Sequence, residues 1–305
     1  MKIFRHSFFA MGSGCEVVLA AQDTAQAHSM AQSVIEEVSR IEKKYSRYRP
    51  DSVIAEINQN AGQRETACDD ETWSLLNYAD QLYQSSQGLF DITSGVLRRA
   101  WNFQEKRVPS EEALARLLPL VNWPAVARHH QTIALPTEGM EIDLGGFGKE
   151  YAADRAGHLL RSMGVMNGYV NLAGDMHFVG PKPDGSPWLI GIRDPRREGQ
   201  LVATIPMHQG GLATSGDYER YFEINGQRYC HILNPKTGMP VRAWQSVSVV
   251  APLAVVAGSA TTITMLKEQT GQSYLETGHF PYFCVDATGQ TLSSELAAPA
   301  TERHS

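Results

Sequence analysis

The sequence predicts an α+β fold, and three observations carry that reading. Apolar residues in the first half recur at three- and four-residue steps, the period of amphipathic helices. The second half breaks into short β-rich runs separated by Gly, Pro, Asn and Asp. Helices and strands mingle without the regular βαβ alternation of a parallel-sheet protein. The chain has 305 residues, of which 42% are hydrophobic and 20% charged, a balance that suits a soluble protein with a sizeable core. No Pro/Ser-rich linker interrupts it. The expected organisation is a single domain over 1–305, with two intimately packed lobes at 1–140 and 141–296 and a disordered tail at 297–305.

The elements follow in order. "EVVLAA" (Glu16–Ala21) reads as a strand. Ala27, Met30, Val34, Val38, Ile41 and Tyr45 define one face of a long helix, with Asp23 or Thr24 as its cap. A second helix is expected over Glu71–Ser86, with Trp73, Leu76, Ala79 and Leu82 or Tyr83 inward and Gly88 as its stop. A third follows Ser110, its first turn carrying Glu111 and Glu112. A strand ending near Asp143 leads through glycines into a helix from Lys149, whose face holds Ala152, Ala156, Leu159, Leu160 and Met163 and which Gly164 ends. Then come the strand-like runs "GYVNLAG", "WLIGIRD", "LVATIPM", "RYCHIL", "QSVSVVA" and "YFCVDATGQTL".

Charge and composition exclude several classes. A net charge of −6 lacks the clustered Lys/Arg excess of a nucleic-acid footprint. No apolar run approaches the roughly 20 residues of a membrane-spanning helix. Cys15, Cys68, Cys230 and Cys284 lie far apart with no CxxC pair, so they read as reduced and mostly buried. The opening "MKIFRHSFFAMGSGC" has early positive charges and ends in a cysteine. Its apolar patch is too short for the core of an export signal, which runs about 7–15 residues. The expected compartment is cytoplasmic for the chain as written, and periplasmic if an export signal has been removed.

Four segments concentrate polar chemistry. "EIDLGGFGKEYAADRAG" (Glu141–Gly157) places a carboxylate, glycines and Lys149 on one corner. It is either a plain turn or a cradle in which backbone N–H groups and a lysine hold a phosphate. Its spacing is neither that of the Walker loop nor that of GxGxxG. "LATSGDYERYFEINGQRYCHILNPKTGMP" (Leu212–Pro240) contains an Asn225-Gly226 hairpin signal and puts His231 in the return strand. His231 is either structural or a proton carrier. In "GLFDITSGVLRRAWNF" (Gly88–Phe103), Asp91 is a helix cap or a ligand for hydroxyls, and Phe90 a core residue or a stacking surface. The aromatics of "YSRYRPDSVIAEIN" (Tyr45–Asn58) belong to the core or stack on a planar ring.

Taken in order, these segments resemble one family, the ApbE proteins, from about Phe9 to Leu266. The carriers are Met11-Gly12-Ser13, Phe90-Asp91-Ile92-Thr93, Asp143–Lys149, "VNLAGD" (Val170–Asp175) and "TSGDYER…HILNPKTGMP". The resemblance implies a T-fold-like architecture with helices packed on mixed or antiparallel sheets. It also implies an FAD:protein FMN transferase, which cleaves FAD with Mg²⁺ and moves FMN to a Thr or Ser hydroxyl of an acceptor flavoprotein. Some members instead hydrolyse FAD to FMN and AMP. Carried over by motif, Met11, Tyr48, Leu89, Phe90, Asp91, Asp143, Lys149 and Ile232 contact FAD, and His231 manages the proton.

The resemblance further implies a metal held by a backbone carbonyl at Gly146, by an Asp, and by a Thr four residues after that Asp. The corresponding run is "AGSATT" (Ala257–Thr262), where Thr262 is in place and Gly258 stands at the Asp position. A four-residue step keeps both on one helix face, but the charge is lost, and Mg²⁺ usually holds at least one carboxylate. Asp217 is a conceivable substitute from another loop. Glu150 is either a substitute ligand or, as the preferred reading, a solvent-facing acid suited to the first turn of a helix. The lost acid raises the alternative of an FAD-binding carrier or sensor without catalysis. It also suggests that Gly258→Asp would raise metal affinity.

Overall fold

The structure, a computed structural model, describes residues 1–294 and 298–299. Its first element comes from the segment weighed above as an export signal. β1 (Lys2–Ala10) pairs antiparallel with β2 (Ser13–Ala21), Lys2 opposite Ala21 and Ala10 opposite Ser13. Met11 and Gly12 connect them with φ of 51° and 72°. Two successive left-handed residues give a turn whose twist matches that of the strands. Phe4, His6 and Phe8 point inward, Ala10 is buried, and the other residues of β1 face solvent along an edge strand.

α1 (Thr24–Tyr45) starts where expected, with Asp23 Oδ1 accepting from the Gln26 N–H at 2.8 Å. Its buried face is Ala27, Ala31, Val34, Val38, Ile41 and Tyr45. α2 (Val53–Gln59), β3 (Thr66–Ala67) and α3 (Asp70–Ser85) follow, the last capped by Asp69. Leu75, Leu76, Ala79 and Leu82 are buried in α3, whereas Trp73 and Tyr83 are only half-buried. Gly88, at φ 81°, turns its N–H back to Tyr83 O at 2.8 Å. A 3-10 helix over Ile92–Arg99 and α4 (Glu111–Leu117), capped by Ser110, come next. β4 (Ala127–His129) and β5 (Thr132–Ala134) join β3 in a small sheet of order β3-β5-β4.

No strand precedes the glycine corner. Residues 141–144 have no strand pairing. The Asn58 side-chain amide takes the place of a partner: it accepts from Ile142 N–H at 2.7 Å and donates to Ile142 O at 3.0 Å. α5 (Gly148–Ser162) begins after the corner, and Gly164 ends it at φ 83°.

The remaining strands are β6 (Gly168–Leu172), β7 (Asp175–Gly180), β8 (Trp188–Arg193), β9 (Leu201–Met207), β10 (Gly210–Gly216), β11 (Tyr221–Ile224), β12 (Gln227–Cys230) and β13 (Trp244–Ala251). α6 (Ala254–Lys267), α7 (Gly271–Thr277), β14 (Tyr282–Asp286) and β15 (Thr291–Ser293) complete the main body, and β16 (Ala298–Pro299) pairs with β9. Of the tail expected at 297–305, only those two residues are described; the others lie outside the described residues. The central sheet has eight strands in the order β1-β2-β6-β7-β10-β13-β14-β15, and each described pairing in it is antiparallel. Strands from both sides of residue 140 lie in it.

Alternation along the strands builds two layers of core. Val17 and Leu19 of β2 and Val170 and Leu172 of β6 face α1 and α5, meeting Val34, Val38, Ala153 and Leu160. Val18 and Tyr169 face the other way, onto Trp188, Ile192, Ala203 and Ile205 of the β8–β9 hairpin. All four cysteines are free and buried, as expected. Among the described residues no helix is long and apolar enough to cross a membrane.

α6 has no side-chain cap of its own. Asp154 of α5 supplies one, its carboxylate accepting from Ala254 N–H at 2.8 Å and Val255 N–H at 2.9 Å while lying 2.6 Å from His177 Nδ1. This group is buried, so its loss would strand two helix amides and an imidazole. Asp154→Ala is expected to lower unfolding free energy by roughly 3 kcal/mol, read as a lower urea midpoint. Asp154→Asn, which keeps one acceptor, should lose less.

Candidate functional site

Register brings three connections to one end of the central sheet. Cys15 lies opposite Leu172, Leu172 opposite Asp175, and Met176 opposite Leu212. The Met11-Gly12 turn, the Ala173-Gly174 turn and Ser215–Asp217 therefore converge. Ala173 and Gly174 have φ of 60° and 105°, and Asn171 Oδ1 accepts from Gly174 N–H at 2.8 Å. α5 starts at the same end: Lys149 Nζ lies 3.5 Å from Ser13 Oγ. Among the described residues no side chain caps α5, which leaves the positive end of the helix available to an anion.

The corner beneath it is tightly built. Gly145 N–H donates to Asp143 Oδ1 at 2.9 Å, and Leu144 O accepts from Gly148 N–H at 2.8 Å. A β-carbon at Gly146 would lie 2.8 Å from Phe90 Cζ, so only glycine lets the corner close over that ring. Phe90 is buried and its centroid lies 6.2 Å from that of Phe147; it supports the corner from below. Asp91 is buried too. It caps the 3-10 helix, accepting from Thr93 N–H at 2.7 Å, Thr93 Oγ1 at 2.6 Å and Trp123 N–H at 3.3 Å. Its carboxylate thus organises the chain around the corner.

Asp143 is ion-paired to Arg47, which donates to Tyr48 Oη at 2.8 Å. Tyr48 is 74% exposed, unlike Tyr45, which is core. This trio forms a rim beside a groove of about 360 Å³ lined by Arg47, Tyr48, Asn58, Arg98 and Arg99. A larger depression of about 440 Å³, between Asp194, Arg196 and Thr291, holds none of these residues. Met11 sits half-buried in the first turn. Leu89 and Ile232 pack, half-buried, on one apolar cluster with Val241 and Trp244.

His231 lies one residue past β12 rather than within it, its N–H donating to Arg220 O at 3.0 Å. The residue is exposed to solvent, yet protein packs densely around its ring. That enclosure, then the Arg220 and Lys149 charges, lower its pKa to about 4. At neutral pH it is an uncharged imidazole.

The packing of α5 against α6 departs most from expectation. Glu150 is not solvent-facing: it is 8% exposed. α5 and α6 run antiparallel, Asp154 meeting Ala254 and Glu150 meeting Gly258, one turn apart on each helix. A β-carbon at Gly258 would lie 2.5 Å from Glu150 Cγ and 2.7 Å from its Cδ. The space of a side chain at 258 is thus taken by Glu150. An aspartate introduced there would require the Glu150 side chain to move, so Gly258→Asp acts on metal affinity only together with a shift of Glu150. Thr262 is half-buried, 3.4 Å from Ser215 Oγ, while Thr261 Oγ1 donates to Gly258 O at 2.8 Å. Asp217 is unavailable as a substitute. Arg196 grips it through two bonds of 2.7 and 2.6 Å, and Arg228 adds a third at 3.2 Å. Burial pushes the Asp175 carboxyl up to about 7 against the pull of Lys149. Burial, then the Asp175 charge, raises Glu150.

Sequence reasoning did not single out Asp175, Arg220, Arg47 or Asp154. The signal for Asp154 was legible: Glu150 and Asp154 sit one turn apart on the buried side of α5, beside Ala153 and Gly157.

Comparison with known proteins places this geometry. The ApbE family model matches residues 11–283. A protein of Treponema pallidum (strain Nichols) described as FAD:protein FMN transferase is 31% identical over 274 residues, covering 83% of this chain and 75% of that one. Among solved structures, the apbe protein of Thermotoga maritima matches with a TM-score of 0.89 and 31% identity, over 96% of this chain and 97% of that one. The flavinyl transferase ApbE of Pseudomonas stutzeri, in its apo form, matches with a TM-score of 0.85 and 27% identity, over 97% and 95%.

Proposed function

The chain belongs to the ApbE family, and on that premise we propose that it is an FAD:protein FMN transferase. The observation that carries the mechanism is the meeting of Lys149, the uncapped α5 N-terminus and a neutral His231 at one end of the sheet. Phosphoryl-type transfer asks a protein chiefly for alignment and charge stabilisation. Lys149 and the first amides of α5 hold the pyrophosphate of FAD. Tyr48, Leu89 and Ile232 border the rest of the dinucleotide, and Phe90, Asp91 and Asp143 fix the corner that presents those amides.

The acceptor hydroxyl attacks the phosphorus on the riboflavin side. A new P–O bond forms, the pyrophosphate P–O bond breaks, and AMP leaves with the bridging oxygen. The free ring nitrogen of His231 takes the hydroxyl proton. The donors at Gly146 and Thr262 are hard oxygens, which fit Mg²⁺; bound there, the ion would neutralise charge on the phosphate oxygens. The acceptor is a flavoprotein presenting an exposed Thr or Ser. The carrier-or-sensor alternative rests on the missing acid at Gly258; it predicts intact FAD on the purified protein and no AMP or FMN on addition of Mg²⁺.

Incubation with FAD, Mg²⁺ and an acceptor bearing a flavinylation-motif Thr or Ser should leave flavin fluorescence on the acceptor band of a denaturing gel, with AMP in the supernatant. An unlabelled acceptor, under conditions where another family member labels it, would overturn the reading. FMN and AMP without labelling would indicate hydrolysis instead.

A further inference from the structure

The acid absent from position 258 is present on the facing helix. We propose that Glu150 is the carboxylate ligand of a divalent cation in this chain, with the hydroxyl of Thr262 and the carbonyl of Gly146 completing the protein's share. The assignment takes the identity of the cation from the transferase reading, but its geometry stands on three observations.

First, the Glu150 carboxylate lies over Gly258, in the space where a side chain at 258 would stand. Second, this side chain is more than nine-tenths buried and has no hydrogen-bonding or ionic partner among the described residues beyond its own backbone amide. A buried carboxylate is normally paired or bound to a metal. The charges around it are the acids Asp175 and Asp154 and the single cation Lys149; the surplus is negative. Third, the helix register leads to a further oxygen donor. Asp154 meets Ala254 and Glu150 meets Gly258. One turn further along α6, Thr262 stands on the same face as Gly258.

The two departures from the family pattern are therefore one exchange. Glycine inside a helix is costly relative to alanine, and Gly258 is explained by the carboxylate that fills its place. The acid has moved from α6 to α5 without leaving the site.

The test uses the full chain, with Mn²⁺ as a paramagnetic stand-in for Mg²⁺, titrated by electron paramagnetic resonance with and without FAD. Wild type should take up Mn²⁺ saturably. Glu150→Gln, nearly isosteric, should weaken uptake at least about tenfold. Gly258→Asp alone should give no gain and a lower melting temperature, whereas Glu150→Gly combined with Gly258→Asp should restore uptake to within about threefold of wild type. Circular dichroism establishes that each variant is folded. Unchanged Mn²⁺ affinity in Glu150→Gln, a folded double variant that fails to recover, or no saturable uptake by wild type would each overturn the proposal. Quenching of FAD fluorescence without metal reads the flavin site separately. Glu150-dependent Mn²⁺ uptake without FAD binding would support the cation site and sink the flavin reading.

Discussion

His231→Asn should lower the rate of flavin transfer about 10²–10⁴-fold, the usual span for loss of a general base, while FAD affinity stays within about threefold of wild type. Asparagine keeps the backbone bond to Arg220 and much of the volume, but cannot accept the proton of an attacking hydroxyl. The pH profile separates this role from a structural one. Enclosure by protein, with Arg220 and Lys149 adding repulsion, lowers the imidazole pKa to about 4. The unprotonated form is the active one, so activity is retained as pH falls from 7 through the ordinary histidine range. It is lost only as pH drops through about 4 to 5. Labelling rates of wild type between pH 4 and 8 should show that late acid limb in kcat/KM, and His231→Asn should lack it. An acid limb near 6.5 in wild type, or transfer by His231→Asn at an undiminished rate, would remove His231 from the proton path.

The sequence disclosed most where local chemistry and tertiary environment agree. α1 was legible because its 3.6-residue stripe is long and Asp23 caps it; the Asn225-Gly226 hairpin was legible because the turn needs left-handed residues, and both adopt them, at φ 51° and 77°. β1 was obscured because it is a solvent-facing edge strand whose turn, Met-Gly, carries only half of the usual signal. β7 is buried along nearly its whole length, so it lacks the alternation that marks a half-exposed strand. The stretch before the corner reads as a strand by composition, but Asn58 supplies the backbone partner that a neighbouring strand would give. Glu150 shows why the site was harder than the fold. In isolation it is an ordinary first-turn acid, and nothing local reports that α6 brings Gly258 against it. Position 258 and position 150 are informative only as a pair, a hundred residues apart.

Lys149→Met should lower kcat/KM for flavin transfer about 10²–10³-fold, the scale of losing one preorganised charge at a reacting phosphate. Part of the loss should appear as weaker FAD binding in a fluorescence titration. The methionine keeps the length and apolar stem of lysine, so packing near Ser13 is preserved and only the ammonium is removed. Lys149→Arg should recover only part of the activity, because a planar guanidinium needs more room than the half-buried site beside Ser13 offers a compact ammonium. The same charge reaches His231, where it adds to burial and Arg220 in holding the imidazole deprotonated. Removing it relieves that repulsion, so the folded-state pKa rises. The acid limb of the residual activity should therefore move upward from about 4 toward the ordinary histidine range. Burial is the larger cause and is untouched by the substitution, so the limb moves only part of the way. A variant with weakened FAD binding but an unmoved acid limb would mean that Lys149 touches the dinucleotide away from His231. One that binds FAD as wild type does would mean that the pyrophosphate lies elsewhere in the cleft.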